Sequence, residues 1–115
     1  MIPGLQQWDV VKVRINPNDR DEHPAIVVSP PEICGNLKKP RINVLYGTTR
    51  RPNMTIDPFE VQLNGAEGLD HATLFNCAHF YQVTRDTISA RLGRVSAERR
   101  RQIGRKIVAT FRLPL

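Results

Sequence analysis

A mainly β (α+β) fold, with short strands closing a small barrel and one C-terminal amphipathic helix, is what three features of this 115-residue chain predict. Short segments of alternating apolar and polar residues recur between proline-, glycine- and asparagine-rich turns. One run, Ala25-Ile26-Val27-Val28, is continuously apolar and ends in three β-branched residues, which favour a strand buried on both faces. From Ser96 the periodicity changes to that of a helix. The length supports one hydrophobic core, so residues 1–115 are expected to form a single domain.

The first strand is expected over Asp9–Ile15, where Val11, Val13 and Ile15 share a face opposite charged neighbours. Asn16-Pro17-Asn18-Asp19 supplies turn-forming side chains, and the polar stretch to His23 reads as an exposed loop. After the central strand, Ser29-Pro30-Pro31 is a stop, and Glu32–Pro40 reads as a flexible basic loop. A third strand follows from Arg41, with Ile42, Val44 and Tyr46 on one face, and ends at Gly47. Arg50–Pro58 holds two prolines and two arginines and reads as a mobile loop. Phe59, Val61 and Leu63 alternate into the Asn64-Gly65 turn as a fourth strand. Leu69–Leu74 and Phe80–Val83 are weaker apolar segments that fit two short strands. In the terminal segment Ser96 can cap a helix, Glu98 suits its first turn, and Ile103, Ile107 and Phe111 fall at helical spacing.

Seventeen basic against eleven acidic side chains give a net charge of +6 and a pI near 10.0. Such a surface attracts polyanions, with nucleic acid or an acidic protein as the candidate partners. Two cysteines, Cys34 and Cys77, are too few for the disulfide framework of a small secreted domain. The first seven residues do not form a signal peptide, and no apolar run is long enough to span a bilayer. A cytoplasmic protein is therefore expected, with no membrane partner.

Five ordered islands resemble the MazF/PemK family of toxin endoribonucleases. His23-Pro24-Ala25 with its aliphatic run and Ser29-Pro30 is similar to an Arg-Pro-Ala motif of that family. Tyr46-Gly47-Thr48-Thr49 stands at its threonine-bearing strand end, and Pro58-Phe59-Glu60-Val61-Gln62-Leu63 matches a Pro-Phe-Glu-Val-x-Leu signature. Leu92-Gly93-Arg94-Val95-Ser96-Ala97-Glu98 resembles the entry to its last helix, and Trp8-Asp9-Val10-Val11 resembles its opening strand. The resemblance implies a small SH3-like, CcdB/MazF-type barrel, a homodimer and an acidic antitoxin. It also implies metal-independent cleavage of single-stranded RNA by the toxin of a type II toxin-antitoxin system, with no cofactor.

Such cleavage needs a base for the 2′-hydroxyl proton, an acid for the 5′-oxygen and donors for the charged phosphorane. Thr48 matches the threonine position, where its hydroxyl either donates to phosphate or satisfies nearby backbone. His23 stands where the family keeps arginine. Imidazole can move a proton near neutral pH but lacks the fixed charge and forked donors of guanidinium. His23 and Thr48 are therefore the catalytic candidates, and Arg20, Lys38, Lys39, Thr49, Arg50 and Arg51 the RNA-binding ones. Asn76 stands where some relatives carry an aspartate, and an amide cannot act as a base; Asp70 upstream fits a turn. Tyr46 and Phe59 could stack a base or pack in the core. His71, Cys77 and His79 fit no structural zinc spacing, so no metal is expected. The alternative is a barrel of the same fold that has lost its nuclease groups and binds RNA or a protein without chemistry.

Overall fold

The computed structural model describes residues 2–16 and 18–115. Six strands, β1 (Asp9–Val13), β2 (His23–Val27), β3 (Arg41–Thr49), β4 (Glu60–Leu63), β5 (Thr73–Thr84) and β6 (Ile88–Arg94), form one antiparallel sheet. Their order is β4-β5-β3-β2-β1-β6. A one-turn helix, α1 (Pro31–Cys34), follows β2, and α2 (Ala97–Phe111) ends the fold.

The central strands are buried on both sides, and their alternation feeds two cores. Val11, Val13, Ala25, Val27, Ile42 and Val44 face the first, which Leu5, Cys34, Val83 and Ile88 complete. Val10, Ile26 and Leu45 face the second, with Val61, Leu63, Phe75 and Cys77. The second is roofed by α2. Ser96 caps that helix by accepting from the Arg99 amide (3.3 Å), and Ile103, fully buried, contributes about 1.5–3 kcal/mol through its apolar surface.

β4 and β6 remain edges, so the sheet is not a closed barrel. The chain after β4 nevertheless packs tightly on β6. Gly68, with φ of +88°, and Gly93 let the two backbones meet: a Cβ on Gly68 would lie 2.0 Å from the Leu92 carbonyl oxygen, and one on Gly93 2.3 Å from that of Glu67. Asn64 and Glu67 hold this turn by reciprocal capping bonds, the Asn64 amide donating to Glu67 Oε2 at 2.9 Å.

Several boundaries differ from those the sequence suggests. The two weak apolar segments after residue 69 meet in one long strand, β5, because residues 75–79 continue the run toward β4 and β3. β3 reaches Thr49, beyond the glycine that reads as its stop, and β6 falls in a stretch with no clear alternation. β1 ends at Val13, although Ile15 still packs on the first core. In the turn expected after β1, Asn18 donates its amide to Asn16 Oδ1 (3.0 Å), while Pro17 lies outside the described residues. The segment 32–40 is not a loose loop. Arg85, only 6% exposed, donates to the carbonyls of Lys39 (2.6 Å), Cys34 (3.0 Å) and Asn36 (2.9 Å), and also to that of Ile33.

Two measurements test this packing. Gly93→Ala forces a methyl into the Glu67 carbonyl and should cost about 2 kcal/mol, read as a lower urea midpoint with an unchanged slope. Burial pushes the Cys77 thiol up to about 11 from 9.0, an effect that Lys106 opposes and Glu60 reinforces. Between those values the unfolded thiol ionises while the folded one keeps its proton. Stability from this group is thus complete below pH 9 and lost as pH rises toward 11, by roughly 2–3 kcal/mol. The alkaline fall in unfolding free energy should be smaller by that amount in Cys77→Ala.

Candidate functional site

The alternation that buries Ile42 and Val44 in the first core carries Tyr46 and Thr48 onto the same face of β3, past the end of that core. On the neighbouring strand, Ala25 pairs with Tyr46, and the same alternation puts His23 beside them. The His23 and Tyr46 rings lie 5.1 Å apart at 52°, and Tyr46 lies 5.6 Å from Tyr81 on the other side. Three rings from three adjacent strands thus form a continuous row.

The ladder between β3 and β5 breaks at this row. Leu45 pairs with Phe80 and Gly47 with Phe75, so Tyr46 alone faces residues 76–79. Such a bulge re-aims side chains. Asn76 holds it, its Oδ1 accepting from the Ala78 amide at 2.8 Å, and the Cys77 amide turns away to the Phe59 carbonyl at 2.8 Å. Asn76 is therefore committed to backbone geometry.

Two adjoining hollows result, with Tyr46 and Thr48 as their common wall. The larger, of about 400 Å³, is bounded by His23, Thr49, Arg51 and Met54 as well. The smaller, of about 140 Å³, is bounded by Glu60, Asn76, His79 and Tyr81, with Leu74 at its floor. Thr48 is exposed. Among the described residues its hydroxyl has no hydrogen-bond partner, whereas those of Thr73, Thr87 and Thr110 donate to backbone carbonyls. It is available to a ligand.

A second hydroxyl, that of Tyr46, stands beside Thr48 on the shared wall. Burial raises the Tyr46 phenol above its ordinary range, and the charge of Asp19 and the neighbouring Tyr81 act the same way, so it remains a hydroxyl donor. Arg50 is turned toward β4, its Nη1 donating to Gln62 Oε1 at 2.6 Å.

Of the candidates from sequence, His23, Thr48, Thr49 and Arg51 meet in one hollow, whereas neither Arg20 nor Arg50 lines it. Lys38 and Lys39 do not join them. They precede the opposite end of β3, roughly 20 Å away along the strand, where Arg85 pins their loop. Phe59, half-buried at the head of β4, bounds neither hollow. Cys77 points into the second core while His79 opens to the smaller hollow, so these two do not converge on one metal position. Tyr81, His79, Glu60 and Met54 were not legible as site residues. The signal for the first two was the alternation His79-Tyr81-Val83, which ends in the same core as Tyr46-Val44-Ile42.

A family model described as the PemK-like, MazF-like toxin of type II toxin-antitoxin system matches residues 6–111. No curated protein matches. Among solved structures the fold is similar to an endoribonuclease in complex with its cognate antitoxin from a mycobacterial species (TM-score 0.76, 16% identity, covering 97% of this chain and 99% of that one). It is similar also to the Mycobacterium tuberculosis toxin MazF-mt6 (0.73, 14%, 93% and 99%) and to MazF of the Deinococcus radiodurans MazE-MazF structure (0.73, 18%, 96% and 98%). Because the matched segment runs from the strand-leading residues through the last turn of α2, the chain belongs to the PemK-like, MazF-like toxin family of type II toxin-antitoxin systems.

Proposed function

We propose that this toxin is an endoribonuclease that cuts single-stranded RNA without a metal. The observation that carries it is the meeting of His23, Thr48 and Arg51 in one open hollow, a proton-transfer group, a hydroxyl donor and a fixed cation around a space that takes a phosphate. His23 accepts the 2′-hydroxyl proton, and Thr48 and Arg51 stabilise charge on the phosphorane. The exposed face of Tyr81, 40% accessible, offers an unpaired base a stacking platform beside Tyr46. The solved relatives described as endoribonucleases support the same activity.

The acidic antitoxin suits the net charge of +6, and two of the similar structures are toxin-antitoxin complexes. A second copy of the chain suits the apolar surface on α2. Phe80 and Phe111 stack at 5.8 Å, with Val108 (74% exposed) and Leu113 (69%) on the same end of the molecule. No helix among the described residues is long and apolar enough to cross a membrane. The expected site of action is the cytoplasm, where the RNA is.

Inducible expression should arrest growth and produce discrete breaks in cellular RNA by primer extension. Thr48→Ala should lower cleavage by the purified protein about a hundredfold, as loss of one preorganised donor does, with excess chelator leaving the rate unchanged. RNA that is bound but stays intact would instead identify a binding module. In sedimentation, the protein should run as a dimer that Val108→Asp converts to monomer; a monomeric parent would remove the dimer from the model.

A further inference from the structure

We propose that His79 is the general acid of the cleavage, delivering the proton to the departing 5′-oxygen while His23 removes the one from the 2′-hydroxyl. The assignment rests on the endoribonuclease activity proposed above and adds the group that His23, Thr48 and Arg51 do not provide.

Displacement at phosphorus places the attacking and leaving oxygens on opposite sides of the phosphorane, so base and acid must flank the phosphate. Thr48 sits on the wall between the two hollows. His23, on β2, opens to one and His79, on β5, to the other, with β3 between them. Two strand spacings separate β2 from β5 by about 10 Å; the Tyr46 ring fills part of that span, and the phosphate is placed over Thr48, beyond the ring, with one imidazole on either side. The bulge at residues 76–79 is what turns His79 to this position.

The other groups of the smaller hollow fit the role poorly. Glu60 Oε1 already accepts from the Asp57 amide at 2.9 Å, which commits that carboxyl to the turn before β4. Asn76 does not titrate and serves the bulge. The Tyr46 phenol is raised, and phenols are weaker acids than imidazolium at neutral pH. The titratable groups around His79 are thus Glu60 on β4, Tyr46 on β3 and Tyr81 on β5, while Lys106 of α2 donates to the Pro58 carbonyl.

In the step, the 2′-O–H proton passes to His23, the 2′-oxygen bonds to phosphorus and the P–O5′ bond breaks. The 5′-oxygen takes the proton of the His79 imidazolium. The products are a 2′,3′-cyclic phosphate and a 5′-hydroxyl, and solvent exchange restores both histidines.

The purified full chain is assayed on a chimeric oligonucleotide and on the same sequence with sulfur in place of the bridging 5′-oxygen, a leaving group that needs no proton. His79→Gln should slow cleavage of the oxygen substrate about 10²- to 10⁴-fold and abolish the fall of rate at high pH. On the sulfur substrate it should come within a few-fold of the parent protein, while His23→Gln stays slow on both. Parent-like cleavage of the oxygen substrate by His79→Gln, or equal loss on both substrates, overturns the role of His79 and leaves the nuclease assignment intact. No cleavage of either substrate by the parent overturns both.

Discussion

The contact between Gly47 and Phe75 sets the geometry of this toxin. A Cβ on Gly47 would lie 2.7 Å from Phe75 Cε1 and 2.8 Å from Thr73 Cγ2, and Phe75 is fully buried in the second core. Only a residue without a side chain lets β3 and β5 pair there. Because that pairing is kept, and Leu45 pairs with Phe80 on the other side, four residues of β5 stand opposite the single residue Tyr46 and must loop out. The break in the ladder and the hollow beside Thr48 are thus consequences of core packing. Function is coupled here to stability: filling the space over Gly47 would move Phe75, and with it the strand that carries Asn76 and His79.

A second constraint acts at the far end of the same strand. The Arg85 guanidinium is buried without a carboxylate and is satisfied instead by four backbone carbonyls of the α1 segment. Leaving those acceptors or that charge unpaired would be expensive, so the segment is fixed to the sheet. This accounts for the failure of composition as a guide to the two basic loops. Lys38 and Lys39 look as available as Arg50 and Arg51 in the sequence, but one loop is tethered at the end of β3 distant from Thr48 and the other runs off the end that bears it.

The fold was legible where periodicity met punctuation. The alternations around Val11, Val44 and Val61 and the cap at Ser96 each marked an element, and the order of local motifs marked the family. The strands that failed to show did so for physical reasons. β6 is an edge strand whose exposed side carries arginines and a serine, so it lacks an apolar rhythm, and β5 changes the face it buries when it crosses the bulge. Periodicity assumes one register, and the bulge breaks it. His23 and Thr48 could be read from motif positions, since both lie at strand ends that the pattern fixes. Their partners Tyr81 and His79 could not, because nothing local records which strand lies beside β3.

Histidine at position 23 then takes a different meaning from the loss it suggests in isolation. A guanidinium group combines fixed charge and donor geometry in one side chain, whereas imidazole supplies only a movable proton. On the function proposed above, the fixed charge comes separately from Arg51, which lines the same hollow, and the hydroxyl donor is Thr48. The roles are spread over residues from β2, β3 and the loop that follows β3, which the sheet holds side by side. A site built this way depends on the register of β2 against β3 as well as on each side chain. That register is set by Ala25 facing Tyr46 and by Ile26 and Val27 committed to opposite cores. A slip of one residue would exchange Ile26 and Val27 between the two cores and turn His23 to the face away from Thr48, so the same apolar run that specifies the fold also fixes where His23 points.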